Sequence, residues 1–169
     1  MPVLDVVTHV EGSPSEALAV SLDLGVELES GRRHRIRALD RGPGSRTEGS
    51  IAEGQQVTWA GRLYGVVPFR HTSVIDRVVA DDGCGGAFFT DSMRSGLFAS
   101  FRHEHRFEPL VAASVPGSEA GARTRMTDHV VWQSPLGPLG RVADAAFVRR
   151  ALVALVADRN AVVAGRLRR

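Results

Sequence analysis

From Gln56 onward the chain alternates apolar and polar side chains in short runs separated by turn residues. This is the period of a half-buried strand. Strands are expected over Val57–Leu63, Phe69–Val79, Ala87–Met93, Phe98–Phe107 and Thr124–Gln133. Turns fall at Ala80-Asp81-Asp82-Gly83, at Gly96 and at Pro116-Gly117-Ser118-Glu119. Short, turn-rich links between strands imply an antiparallel meander. An earlier β-branched run, Val3–Val10, reads as a further strand ending at Glu11-Gly12. Ser13-Pro14-Ser15-Glu16 follows: a capping serine, proline in the first turn and a glutamate that completes the reciprocal cap. A helix to about Leu22 is expected, then a second short one over Leu24–Leu28. Residues 30–56 are polar and Gly-rich, with a turn at Gly42-Pro43-Gly44 and room for one or two strands.

After Ser134-Pro135-Leu136-Gly137-Pro138 the pattern changes to good helix formers, Ala, Leu and Arg. A helix from about Leu139 to Leu167 would be roughly 40 Å long. Helical spacing puts Val148, Leu152, Leu155, Val156, Val162 and Val163 on one stripe, with Arg159 near its centre. Arg149, Arg150, Asp158 and Asn160 fall mostly on the opposite side. A half-buried sheet needs its apolar face covered, and a long amphipathic helix can cover it. A strongly bent sheet cannot touch a straight rod everywhere, so a cavity between them is expected.

Strand alternation also sorts the ionisable groups. In Phe101-Arg102-His103-Glu104-His105-Arg106-Phe107, the aromatic ends mark the face that His103 and His105 share as buried. In the run from Thr124 to Trp132, the inward set is Thr124, Met126, Asp128, Val130 and Trp132, which places an acid inside and turns His129 outward. Buried ionisable groups must satisfy one another or a ligand. They form either a polar network that fixes strand register or the polar end of a ligand cavity.

Composition narrows the function classes. The chain has 169 residues, 43% hydrophobic and 24% charged, which suits one ordinary domain spanning 1–169. All 21 basic side chains are arginine and the formal net charge is only +2, although the sequence pI is about 9.4. The arginines are scattered, with groups at residues 32–37 and 166–169, and aromatics make up 6%. No stacking stripe for nucleic acid is visible. The lone Cys84, in a glycine turn, has no disulfide partner and reads as a free structural thiol. No apolar run is long enough to span a bilayer and no secretory signal pattern is visible, so a cytoplasmic protein without stable membrane insertion is expected. For zinc, His103 and His105 stand two apart, with His71, His129 or Asp128 as further candidates. No His-Glu-x-x-His pattern or cysteine pair accompanies them, so no metal is expected. A nucleophile elbow, a P-loop and a dinucleotide fingerprint are all missing from the sequence.

Phe101-Arg102-His103-Glu104-His105-Arg106-Phe107, then Thr124-x-Met126-x-Asp128, then Ser134-Pro135-Leu136-Gly137-Pro138-Leu139-Gly140-Arg141 and a long helix with Arg159-Asn160 resemble the bacterial SRPBCC proteins, START-like helix-grip domains. Val57-Thr58-Trp59 and Phe89-Thr90-Asp91 resemble the subgroup labelled polyketide cyclase/dehydrase. The resemblance implies an α+β fold: a seven-stranded curved antiparallel sheet around a long C-terminal helix, with two short helices after the first strand. It implies a cavity for a small hydrophobic molecule, lipid- or polyketide-like, and no cofactor. Expected walls are Trp59, Phe69, Phe89, Phe101, Trp132, Phe147, Leu152 and Leu155. Expected orienting groups are His71, Asp91, His103, His105, Asp128 and Arg159. The alternative is a polyketide cyclase or dehydratase, with His103 or His105 as general base, Asp128 holding its tautomer and Arg159 steadying an enolate. A monomer or a homodimer is compatible with either reading.

Overall fold

A computed structural model describes residues 1–40, 46–63, 67–110, 122–135, 137, 138, 140 and 144–169. Among these residues seven strands form one antiparallel sheet: β1 (Val3–Glu11), β2 (Arg37–Leu39), β3 (Gln56–Leu63), β4 (Val67–Val79), β5 (Ala87–Ser95), β6 (Ser100–Pro109) and β7 (Arg123–Gln133). Their spatial order is β1-β7-β6-β5-β4-β3-β2. Strands β2 to β7 form the meander, and β1 closes on β7 with Val3 opposite Val131 and Glu11 opposite Arg123. The helices follow the same logic as the sequence pattern: α1 (Pro14–Ser21), α2 (Leu24–Ser30) and α3 (Arg149–Leu167). The curled sheet holds α3 across its concave face, the helix-grip architecture expected above.

Local chemistry explains each connection. Ser13 accepts from the Glu16 N–H, and the Glu16 carboxylate accepts from the Ser13 N–H at 2.7 Å, with Pro14 in the first turn. Asp23 caps α2 by accepting from the Gly25 N–H at 2.8 Å. The β4–β5 hairpin turns on Gly83 and Gly85, both at positive φ, and Asp82 accepts from the N–H groups of Cys84 and Gly86. Cys84 is exposed there.

Register irregularities between Thr72 and Ser73 and between Ile75 and Arg77 bend β4 against β5. The second explains a break in alternation: Val74 and Ile75 are both buried, Asp76 and Arg77 are both exposed, and Val78 packs against the core again. The core lies at one end of the groove, where Val10, Leu18, Val26, Phe107, Met126 and Val163 are buried together. A smaller cluster, Leu4, Val130, Trp132 and Val156, closes the other side.

Two details of the sequence reading change, both at the last helix; the expectation of one or two strands between residues 30 and 56 is met by one among the described residues. Between residues 30 and 56 the described residues hold one short strand, β2, preceded by a 3₁₀ turn over Gly31–His34. The expected Gly42-Pro43-Gly44 turn and the Pro116–Glu119 loop lie outside the described residues. The last α-helix becomes regular only at Arg149; a wider π turn, Asp144–Val148, precedes it, and Leu139 lies outside the described residues. Asp144 anchors that entry, accepting from Trp132 Nε1 at 2.8 Å and from the Ser134 hydroxyl. Asn160 was expected on the polar side of the helix but is 1% exposed. The reason is that α3 touches the sheet through β1 and the short helices through α1 and α2, so its buried arc is wider than its apolar stripe.

Candidate functional site

The inner faces of β3 to β6, helix α2 and one side of α3 enclose a cavity of about 430 Å³. Alternate residues of each strand reach it: Val57 and Trp59 from β3, Phe69, His71, Ser73 and Ile75 from β4, Phe89 and Asp91 from β5, and Phe101, His103 and His105 from β6. The helix contributes Ala151, Leu152, Leu155, Val156 and Arg159. Phe147 and Leu97 line it too, yet are 62% and 39% exposed, so they stand at the mouth.

All the residues expected at the site reach this cavity except Asp128 and Trp132. Both face inward as strand alternation requires, but each lies in packed interior. Trp132 is fully buried against Leu4, Val130 and Val156. Asp128 is 1% exposed and sits behind the two histidines. The strand period gives the face of a side chain; where along that face the helix makes contact depends on tertiary packing. The reading missed Glu27, Ile36, Ile51, Ser73 and Ile75 as lining residues. Ser73 and Ile75 carried a usable signal, since they continue the Phe69, His71 alternation.

The ionisable groups form a zigzag across three adjacent strands. Asp91 on β5 is directly opposite His103 on β6, and His105, two residues along, is opposite Asp128 on β7. All four side chains point to the same face. His103 Nε2 is 3.0 Å and His105 Nδ1 2.7 Å from the same Asp128 oxygen, Oδ1. Asn160 on α3 donates to Oδ2 at 2.6 Å and to Thr8 Oγ1 at 3.1 Å. Burial pushes the Asp128 carboxyl up, but the hydrogen bonds and charges of His103 and His105 outweigh it and hold the group well below its ordinary value. An ionised carboxylate only accepts, so its hydrogen bond with His103 places that ring's proton on Nε2, while His105 Nδ1 stands between the Asp128 carboxylate and Nη1 of Arg159, 3.4 Å away. Phe89 stacks on the His105 ring with centroids 4.1 Å apart and fixes its plane.

Asp91 occupies the cavity wall, with Oδ2 3.5 Å from His105 Nε2. Its carboxyl is also lowered: burial acts upward, and His105, His103 and His71 outweigh it. Burial, followed by the neighbouring His105, pushes the His103 imidazole down despite Asp128 and Asp91. His71 is likewise pushed down by burial, against the pull of Asp91. Arg159 reaches in from α3, paired with Glu27 and donating to the Ser21 carbonyl at 3.0 Å. With Arg166, which bonds Asp23 at 2.7 Å and Glu29 at 3.1 Å, it ties α2 to α3.

His129 faces outward and pairs with Asp5 at 2.7 Å, as alternation predicts. Among the described residues, neither His71 nor His129 clusters with the two central histidines; Asp91 does, and one possible donor atom from each of Asp91, His103 and His105 lies within 4.8 Å of the others. The arginines are less scattered in space than in sequence. Arg35, Arg37, Arg62 and Arg70 gather around a second concavity that shares Phe69 and Leu97 with the apolar one. None of the helices among the described residues is long and apolar enough to cross a membrane.

A curled seven-stranded sheet with a cavity under its terminal helix defines a START-like helix-grip fold. Solved structures agree. The chain is similar to the protein TTHA0849 from Thermus thermophilus, at 14% identity and a TM-score of 0.64, covering 98% of this chain and 97% of that one. It is also similar to a START superfamily protein from Mycobacterium smegmatis, at 12% identity and TM-score 0.52, covering 98% and 97%. A norcoclaurine synthase of Thalictrum matches at 11% identity and TM-score 0.52, covering 96% and 93%. No protein-family model and no curated protein matches the sequence. At these identities the likeness shows the fold.

Proposed function

We propose that the protein binds a small hydrophobic molecule, lipid- or polyketide-like, in the cavity between the sheet and α3. The observation that carries this reading is the cavity itself: about 430 Å³, walled by aromatic and aliphatic side chains, with Asp91, His71, His103 and His105 grouped on one wall. That volume falls in the range of small-molecule sites, and apolar walls with a few convergent polar groups are their usual make-up. The apolar walls hold the body of the ligand, and the grouped polar side chains orient its polar end. Native mass spectrometry of the purified protein is expected to show a co-purified hydrophobic molecule. A matching test fills the space from the helix side. Ala151→Trp is expected to weaken binding of an apolar fluorescent dye at least about tenfold, or about 1.4 kcal/mol, without loss of folding. Equal dye affinity in the filled variant would sink the reading.

The buried Asp128–His103 pair favours a second reading, a cyclase or dehydratase acting next to a carbonyl. A carboxylate that fixes the imidazole tautomer leaves the other ring nitrogen to accept a proton. Replacing both histidines by asparagine is expected to abolish turnover of candidate polyketide substrates. Unchanged rates would reject the mechanism.

A further inference from the structure

His103 and His105 are both tied to one buried carboxylate, Asp128, through a single ring nitrogen each. His103 therefore keeps Nδ1 as a lone pair, and His105 keeps Nε2 as one when its Nδ1 gives its proton to Asp128 instead of accepting from Arg159. Asp91 stands on the neighbouring strand opposite His103, and one donor atom from each of Asp91, His103 and His105 lies within 4.8 Å of the others. Its contact with His105 Nε2, at 3.5 Å, is loose for a hydrogen bond. With the His105 proton on Nδ1, that contact sets one acceptor against another. Something positive belongs between them, either a second proton on the ring or a metal ion. Of the other two candidate histidines, His129 faces outward and His71 lines the same wall but stands outside the donor cluster, which is two imidazoles and one carboxylate.

We propose that Asp91, His103 and His105 bind a divalent transition ion of the zinc type, with its open coordination position facing the apolar cavity. Nitrogen and carboxylate donors suit zinc, cobalt(II) or iron(II), and three protein ligands with a free position are the arrangement of a reactive rather than a structural site. Asp128 supplies what such a site needs behind it. Metal-bound imidazoles usually donate their other N–H to a carboxylate, and here one carboxylate, locked by Asn160, serves both rings. Donor atoms on a tetrahedral ion lie about 3.4 Å apart, against a present spread of up to 4.8 Å. The closing movement falls to Asp91, whose side chain is loosely held. Arg159 Nη1 lies 3.4 Å from His105 Nδ1, so an ion on Nε2 requires that Nδ1 keep its proton for Asp128; the Arg159 charge is already matched by Glu27. The bound ion would polarise a carbonyl or hydroxyl at the head of a ligand lying in the cavity.

The metal and the apolar ligand share the cavity but fail separately: dye binding tests the space, and metal binding tests the donors. Tag-free, EDTA-treated protein titrated with zinc chloride is expected to bind one equivalent by calorimetry. Cobalt(II) is expected to give the visible absorption of a low-coordinate site. Asp91→Asn and His105→Gln should each weaken zinc at least tenfold, and Asp128→Asn by about 10–100-fold through the rings it holds. His129→Ala, on the outer face, should leave affinity unchanged. Nitrogen-15 spectra of the histidine rings provide a readout that needs no variant: zinc should shift Nδ1 of His103 and Nε2 of His105. Zinc that leaves those two resonances in place, or binding unaffected by both Asp91→Asn and His105→Gln, would overturn the proposal. A His105 ring carrying two protons in the presence of zinc would overturn it too.

Discussion

Asp128→Ala is expected to lower the free energy of unfolding by about 3–5 kcal/mol, the usual cost of removing one partner from a buried charged network. The carboxylate is 1% exposed and takes contacts from three side chains, on β6 and α3. Alanine leaves His103, His105 and Asn160 without that partner. Asp128→Asn should cost less, about 1–3 kcal/mol, because the amide oxygen still accepts while its NH₂ faces donors. Urea unfolding of EDTA-treated protein measures both. The pH dependence follows from the direction of the carboxyl shift. Its folded pKa is depressed, so its contribution is complete above the unfolded value of about 3.9 and disappears as pH falls through the folded one. In Asp128→Ala that part of the acid limb should vanish. A variant as stable as the parent at pH 7 would show that the network is not holding β6, β7 and α3 together.

The strands were legible because alternation is a local property. His103, His105, Asp128 and Phe107 could be assigned to the inner face from their neighbours alone, and the sheet places them there. What alternation cannot supply is depth. Asp128 and His105 are direct cross-strand partners on one face, yet His105 touches the cavity and Asp128 does not, because the end of α3 around Asn160 presses on β1 and β7. The same limit applies along the helix. A helical wheel finds an apolar stripe, but α3 is gripped by a sheet on one side and by α1 and α2 on another, so Arg159 and Asn160 are buried along with Val156 and Val163. Arg159 was recognised because it interrupts the stripe. Asn160, one step round, looked like solvent. The pairing of Asp91 with His103 depends on the β5–β6 register, which the turn at Gly96 does not fix from sequence.

The two tryptophans make the difference between interior and cavity measurable. Both were expected to wall the ligand space, and only Trp59 does. Trp132 is fully buried, surrounded by Leu4, Val130 and Val156, and its indole N–H is bonded to Asp144 at the entry of the last helix. Trp132→Ala is therefore expected to cost about 3–5 kcal/mol, the range for a large aromatic removed from packed interior, and more if the orphaned Asp144 stays dry. Trp59 already borders empty space on one side. Its truncation enlarges a cavity that exists instead of opening a new one, so Trp59→Ala should cost roughly 1–2 kcal/mol. Denaturant midpoints of the two variants test the ordering. Fluorescence tests the placement independently. With Trp132 replaced by phenylalanine, the remaining indole lines the cavity and an apolar quenching ligand should suppress its emission; with Trp59 replaced instead, quenching should be weak. Equal quenching of both indoles would mean that the ligand space extends under β7, where the chain is packed shut.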